Sequence, residues 1–273
     1  MIEKGELLNC TYWLNHFFLR LAILPKIYFL KFRVKIMKAW AVLFFLITHQ
    51  VVIAGHETNM KGYYRMNWKS FYSLPEVNKV INVHKPDYEL LDAAIFHATN
   101  EIRENHFLPL FIYSPILHQS SELHSTNMIN LDFYDHNNEK NLKFYKLENR
   151  IKTFGGNFSM SAENIAQFQI VNTKYYYCPT PQNNGSYKYL NCETNKPFPV
   201  YTYLEYAKMV VKSWYESPGH RPNLLNSNLT LLGCAARISK DPYLSKNAPF
   251  ARLTQNFAGG EFPLLLKVKF EEK

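Results

Sequence analysis

The chain has 273 residues, 47% of them hydrophobic, enough to bury a sizeable core in one large domain or two small ones. Its formal net charge of +9 first suggests a nucleic-acid partner, but residues 1–54 carry seven Lys/Arg against Glu3 and Glu6, and the remainder only 24 against 20. No basic cluster there interleaves with aromatics as a phosphate-tracking groove does, so nucleic acid is set aside.

The stretch "MKAWAVLFFLITHQVVIAG" from Met37 reads as a signal peptide over 37–55: Lys38 as positive n-region, an apolar h-region, then small residues at Ala54 and Gly55. His49 and Gln50 interrupt the run, which suits a permanent span poorly. Upstream, residues 1–36 are apolar but broken by Arg20, Pro25 and Lys26. Three readings stay open for this extension: translation starting at Met37, an unusually long signal, or an uncleaved anchor, which would be the chain's one membrane contact. Export to the medium, the periplasm or the cell envelope is expected.

Residues 56–85 are polar and aromatic without a clear period, and are expected to be a linker. The domain proper is placed at 86–262, with a tail at 263–273. Its first helix begins after Asp87, an N-cap residue, with Leu90, Leu91, Ala94, Ile95, Ala98 and Ile102 at helical spacing. "SPILHQSSELHSTNMINLDF" opens a second, with Ser114 as N-cap, Pro115 at the first helical position and an inward stripe of Leu117, Ser121, His124, Met128 and Leu131. A shorter helical piece, "LKFYKLENRIKTF", stops at Gly155-Gly156. "AENIAQFQIV" then has strand character.

Cys178 and Cys192 bracket the Pro/Asn/Gly/Ser-rich segment "PTPQNNGSYKYLN", which is not expected to order itself by burial. In an exported protein the pair is a candidate disulfide, against the alternative of two free thiols in a loop. Cys234 lies in an apolar run and reads as a small buried hydrophobe. "VYTYLEYAKMVVKSWYES" is the strongest helix, with Leu204, Ala207, Val211 and Trp214 on one face. "LTLLGCAARIS" and "FARLTQNFAG" read as strands separated by Asp241-Pro242. The elements describe one α+β domain, a small sheet covered by helices.

Three polar residues stand at element ends, where side chains are presented from a rigid frame: His136 in "FYDHNN", Glu163 in "SAENIA" and His220 in "SWYESPGHRPNLLN". Two imidazoles and a carboxylate suit Zn²⁺ with a fourth position open, or acid–base work on a bound substrate. Each also has a plain reading, as a solvated loop residue, a surface carboxylate or a helix cap. Spacing alone does not show convergence.

The ordered blocks "HSTNMINLDFYDH", "SAENIA", "SWYESPGHRPNLLN" and "LTQNFAG" resemble the signature of the CAP superfamily, which includes cysteine-rich secretory, antigen 5 and pathogenesis-related proteins; the bacterial SCP-like branch is most similar. The resemblance implies an α-β-α sandwich with a small central antiparallel sheet. It also implies a cleft tetrad of two His and two Glu able to hold a divalent metal. The first His matches His136, the first Glu Glu163 and the second His His220. The second Glu position holds Ser217, and Glu216 lies one residue early, about 100° away on a helix. His124 is expected to be a buried histidine bonded to backbone, with the cavity floor as the alternative. Arg221, Asn223 and Asn226 are expected to pin the turn after His220, and Trp214 to anchor the core.

The leading functional expectation is a secreted CAP-domain protein. It would bind a lipid, glycan, cell-wall fragment or protein in a cleft lined by His136, Glu163, Glu216, Ser217 and His220, with no cofactor required. A metal-assisted hydrolase or peptidase using His136, Glu163 and His220 is the enzymatic alternative, and an anchored adhesive envelope protein the structural one. No serine- or cysteine-nucleophile motif and no H-E-x-x-H spacing is present. Binding is preferred to catalysis as the expectation.

Overall fold

A computed structural model describes residues 62–173 and 176–260. The upstream extension, the signal peptide and the tail expected at 263–273 lie outside the described residues. The described elements run in the order α1 (Trp68–Tyr72), α2 (Tyr88–Asn105), β1 (Ile112–Tyr113), α3 (Pro115–Asn130), α4 (Leu147–Thr153), β2 (Met160–Gln169), β3 (Cys178–Pro181), β4 (Tyr187–Leu190), α5 (Tyr203–Glu216), α6 (Arg221–Leu225), β5 (Leu231–Ile238) and β6 (Phe250–Gly259).

The helix starts follow from their caps. Asp87 accepts from Leu90 N at the start of α2, Ser114 from Leu117 N at the start of α3, and Thr202 with Glu205 forms a reciprocal capping box on α5. Each cap supplies an acceptor for an amide that has no partner inside its helix. Leu131, expected on the inward stripe of α3, is instead 40% exposed, because it is the C-cap residue and leaves the helical path.

The segment expected to be a linker is, from residue 62 onward, part of the packed domain. Tyr63, Phe71, Val77, Ile81 and Val83 are buried in the main core. Two 3-10 turns, Gly62–Arg65 and Pro75–Asn78, flank α1, so the apolar anchors follow no single period. Phe71 stacks on His97 at 4.3 Å, and His97 Nε2 contacts the Tyr63 carbonyl at 3.0 Å.

The central sheet has the order β1-β5-β6-β2. Its three longer strands are antiparallel, while the two-residue β1 joins β5 in parallel. One face packs against α2 and α5 in the main core, which contains Cys234, Leu253, Phe257 and the fully buried Trp214. The opposite face meets α3 and α4 through Leu117, Ile151, Leu231 and Ala258. This is an α-β-α sandwich.

Helix α3 lies unusually close to β5. A Cβ on Gly233 would stand 2.0 Å from the His118 backbone nitrogen, so only glycine permits the approach. Ser121 Oγ donates to the Gly233 carbonyl at 2.9 Å and Ser125 Oγ to the Ala235 carbonyl at 3.1 Å. Small hydroxyl residues on the helix thus add side-chain bonds to strand carbonyls across this close contact.

Strands β3 and β4 form a separate hairpin closed by a Cys178–Cys192 disulfide, while Cys234 is free and buried. The segment does order itself partly by burial, contrary to the expectation from its composition. Tyr189 joins Val171 and Ala248 in a small cluster of its own, with Tyr187, Phe198 and Tyr243 packed against it.

Candidate functional site

Strand β2 is the edge of the sheet, and successive side chains on a strand point to opposite faces. Glu163 therefore faces the α3 layer and Asn164 the α5 layer. That alternation organises two half-sites along one edge.

On the α3 side, Glu163 is 5% exposed and its two oxygens are engaged. Oε1 lies 2.9 Å from His136 Nδ1, and Oε2 accepts from Arg150 Nη2 at 2.6 Å. Arg150 is fully buried midway along α4, and its Nη1 reaches the carbonyls of His136, Phe144 and Tyr145. One guanidinium thus binds the carboxylate and holds the loop that carries His136. Asn256, paired with Glu163 in the β2–β6 register, satisfies both ends of its amide when the nitrogen donates to Glu163 Oε2 at 2.9 Å and the oxygen faces Ser120 and Ser121. His124, fully buried on α3, contacts the Asp135 carbonyl through Nε2 at 3.0 Å and lies 3.9 Å from Glu163 Oε1. It is bonded to backbone and borders the carboxylate as well.

On the α5 side, the Pro218-Gly219 turn ends α5 and places His220 at the start of α6. His220 Nδ1 contacts Ser217 Oγ at 2.8 Å. Asn164 Nδ2 donates to the His220 carbonyl at 3.4 Å, and Asn223 Nδ2 donates to Asn164 Oδ1 at 2.8 Å. Arg221 donates to the Tyr215 and Glu216 carbonyls, and the Asn226 side chain accepts from Asn228 N at 2.9 Å. Trp214 Nε1 donates to the Ile165 carbonyl at 3.0 Å, tying α5 to the edge strand.

Glu216, expected to line the cleft, is instead exposed on α5 and ion-paired with Lys212 one turn earlier. The rotation of one helical position carries its carboxylate to the solvent face.

The charges follow from these contacts. Burial alone would raise the Glu163 pKa, but the His136 hydrogen bond and the Arg150 and His124 interactions outweigh it and hold the carboxyl below its ordinary value. The hydrogen bond to Glu163 raises His136, against the effect of its partial burial. Burial pushes His124 down to about 4. Burial, then the positive charge of His136, lowers His220. Through that last interaction the two half-sites feel one another electrostatically, one imidazole raised beside its carboxylate and the other lowered.

The model of the cysteine-rich secretory protein family, CAP, matches residues 96–257. The chain belongs to this family. Solved structures similar to it include an extracellular protein containing an SCP domain from Bacillus anthracis, at 22% identity and TM-score 0.42, covering 63% of this chain and 41% of that one. An outer surface protein from Borrelia burgdorferi is 13% identical with TM-score 0.41, covering 61% and 90%. A cysteine-rich secretory protein from Staphylococcus aureus is 13% identical with TM-score 0.38, covering 64% and 40%. The chain thus spans less than half of the Bacillus and Staphylococcus chains. A comparison with curated protein sequences gave no match.

The metal-binding set of the CAP cleft does not fit the residues as they stand. Glu163 has one oxygen on Arg150 and Asn256 and the other on His136. Ser217, where the second carboxylate would be, is bonded to His220. Among the described residues no three His, Cys, Asp or Glu side chains form a metal-ligating group. A cation would also face the guanidinium already seated on Glu163.

Among the described residues no carboxylate is bonded to His220 to orient it toward a nucleophile. Ser217 touches His220, but a serine–histidine pair needs a third group to orient the base. The available carboxylate, Glu163, orients His136 instead.

Arg150 and Asn256 went unrecognised in the sequence reading. Asn256 lies in the "LTQNFAG" block, so its neighbourhood was marked but its contact was not. Arg150 sits in "LENRIKTF" among charged residues and resembles a solvated helix end; nothing local distinguishes it.

Proposed function

We propose that this CAP domain is an exported binding module whose edge-strand cleft recognises a ligand carrying an acidic or strongly hydrogen-bond-accepting group. Lipid headgroups and cell-wall fragments have that chemistry. The observation that carries the reading is the half-exposed His136, held through Nδ1 by a buried carboxylate. That arrangement fixes the ring through Nδ1–H and, in the protonated form that the neighbouring carboxylate favours, presents Nε2–H as a donor. His220, bonded through Nδ1 to Ser217, supplies a second imidazole from the other half-site. With Glu163 and Arg150 neutralising each other inside, the cleft offers a positioned donor rather than a reactive group.

The test uses two soluble acidic probes, dihexanoyl phosphatidic acid below its micellar concentration and muramyl dipeptide. Imidazole NMR signals of His136 and His220 should shift saturably with at least one probe. His136→Gln should weaken that binding by about tenfold, the expected cost of losing a charged hydrogen bond. Unmoved imidazole signals with both probes would overturn the reading.

A further inference from the structure

A cleft lies at the disulfide hairpin, beyond the far end of β2. It has a volume of about 670 Å³, within the range of ligand-sized pockets, and shares no lining residue with the His136–Glu163 site. Glu163 and Gln169 are six strand positions apart, roughly 20 Å, and the cleft begins beyond Gln169, at Val171.

Its walls are planar rings. Tyr243 stacks on Tyr189 with centroids 5.9 Å apart and meets His84 at 5.7 Å; Tyr187 and Phe198 are half-buried alongside. Tyr243 has φ +70°, a left-handed conformation that a bulky side chain rarely adopts. Its carbonyl accepts from Tyr187 N at 2.7 Å, so the strained loop is fastened to the hairpin. Tyr189 is fixed from behind, its hydroxyl donating to the carbonyls of Ser245 and Asn247. At the rim stand the exposed Lys188 and Asp241, one charge of each sign, with no ion-pair partner among the described residues.

We infer that this hairpin cleft binds an uncharged oligosaccharide. A pyranose ring presents an apolar C–H face that lies on an aromatic ring, and a rim of hydroxyls that both donate and accept. Fixed rings flanked by a cation and an anion match both features. The balanced rim disfavours strongly charged ligands, and the open, exposed position does not enclose an acyl chain. The site is independent of the edge-strand cleft.

The experiment is calorimetric titration of the full chain with cellohexaose, chitohexaose and maltohexaose. Saturable binding of at least one is expected. Tyr187→Ala combined with Tyr243→Ala should weaken it by at least about tenfold, while Tyr243→Phe, which keeps the ring, should retain it. His136→Gln should leave it unchanged, so this result stands apart from the edge-cleft reading. If the double alanine variant does not fold, as judged by circular dichroism, Lys188→Ala with Asp241→Ala provides the same test from exposed positions. Absence of saturable binding for all three sugars, binding insensitive to the folded variants, or binding lost with His136→Gln would overturn the inference. So would saturable binding of a proline-rich peptide with none of the sugars.

Discussion

His136 Nδ1 lies 2.9 Å from Glu163 Oε1 across 27 residues of sequence, and Arg150 closes the gap from both ends by binding the Glu163 carboxylate and the His136 carbonyl. The His136 loop is thus positioned by a buried cation. If Glu163 becomes Gln, that guanidinium is left without a counter-charge.

Glu163→Gln is therefore expected to destabilise the domain by about 3 kcal/mol, the usual cost of breaking a buried ion pair by removing one partner. Urea denaturation measures it. Arg150→Met in the same chain should recover part of the loss, because it removes the orphaned charge. Additive losses in the double variant would show that the two groups are not coupled.

Acidification should lower stability. His97 and His124 are both buried and pushed down to about 4 from an ordinary value of 6.5. The unfolded chain therefore takes up protons at these positions before the native state does, and stability declines as pH falls from about 6.5 toward 4. Glu163 adds to the decline at lower pH: its depressed pKa contributes stability above its ordinary carboxyl value, lost as pH falls through the folded value. His136 acts oppositely, because its raised pKa contributes stability that is present below 6.5 and lost as pH rises through the folded value. The two windows do not overlap: His136 acts above 6.5 and the buried histidines below it. NMR titration should show His136 titrating above 6.5 and His124 unprotonated until near 4; the reverse order would refute the assignment.

Ser217→Ala should free the His220 ring at a cost of about 1 kcal/mol, the net worth of one hydrogen bond. Imidazole NMR should report altered tautomer populations at His220 with His136 unaffected. Glu216→Gln should leave both rings unchanged, since its carboxylate is turned to Lys212.

Zn²⁺ titrated into the full chain at pH 7.5 should give no tight calorimetric binding involving Glu163, because Arg150 and His136 engage its oxygens. Arg150→Met should strengthen any binding seen by releasing one oxygen. Tight binding in the unmodified chain that Glu163→Gln abolishes would contradict this.

Replacing Cys178 and Cys192 by Ser opens a loop closed across 14 residues, worth roughly 3 kcal/mol in the chain-entropy account. Hydrogen exchange should quicken over 178–190 while β5 and β6 stay protected, because the hairpin has its own small cluster. Cys234, buried against the α2–α5 layer, should resist alkylation until the domain unfolds.

The long elements were legible in the sequence because their signals are local. Asp87, Ser114 and Thr202 cap helices whose apolar spacing is set by one turn of backbone, and strands β2, β5 and β6 carry their own β-rich runs. The order of the blocks around His136, Glu163 and His220 sufficed to suggest the family. What the tertiary structure alone decided depends on which residues meet across the chain. The aromatic residues of 62–85 have no period, so their burial follows only from the surfaces that α2 and α5 offer. Arg150 reads as a solvated helix end until the fold closes a low-dielectric pocket around it with the Glu163 carboxylate inside. One position of helical rotation separates Glu216 in solvent from Ser217 on His220, and that angle is set where α5 ends against the edge strand.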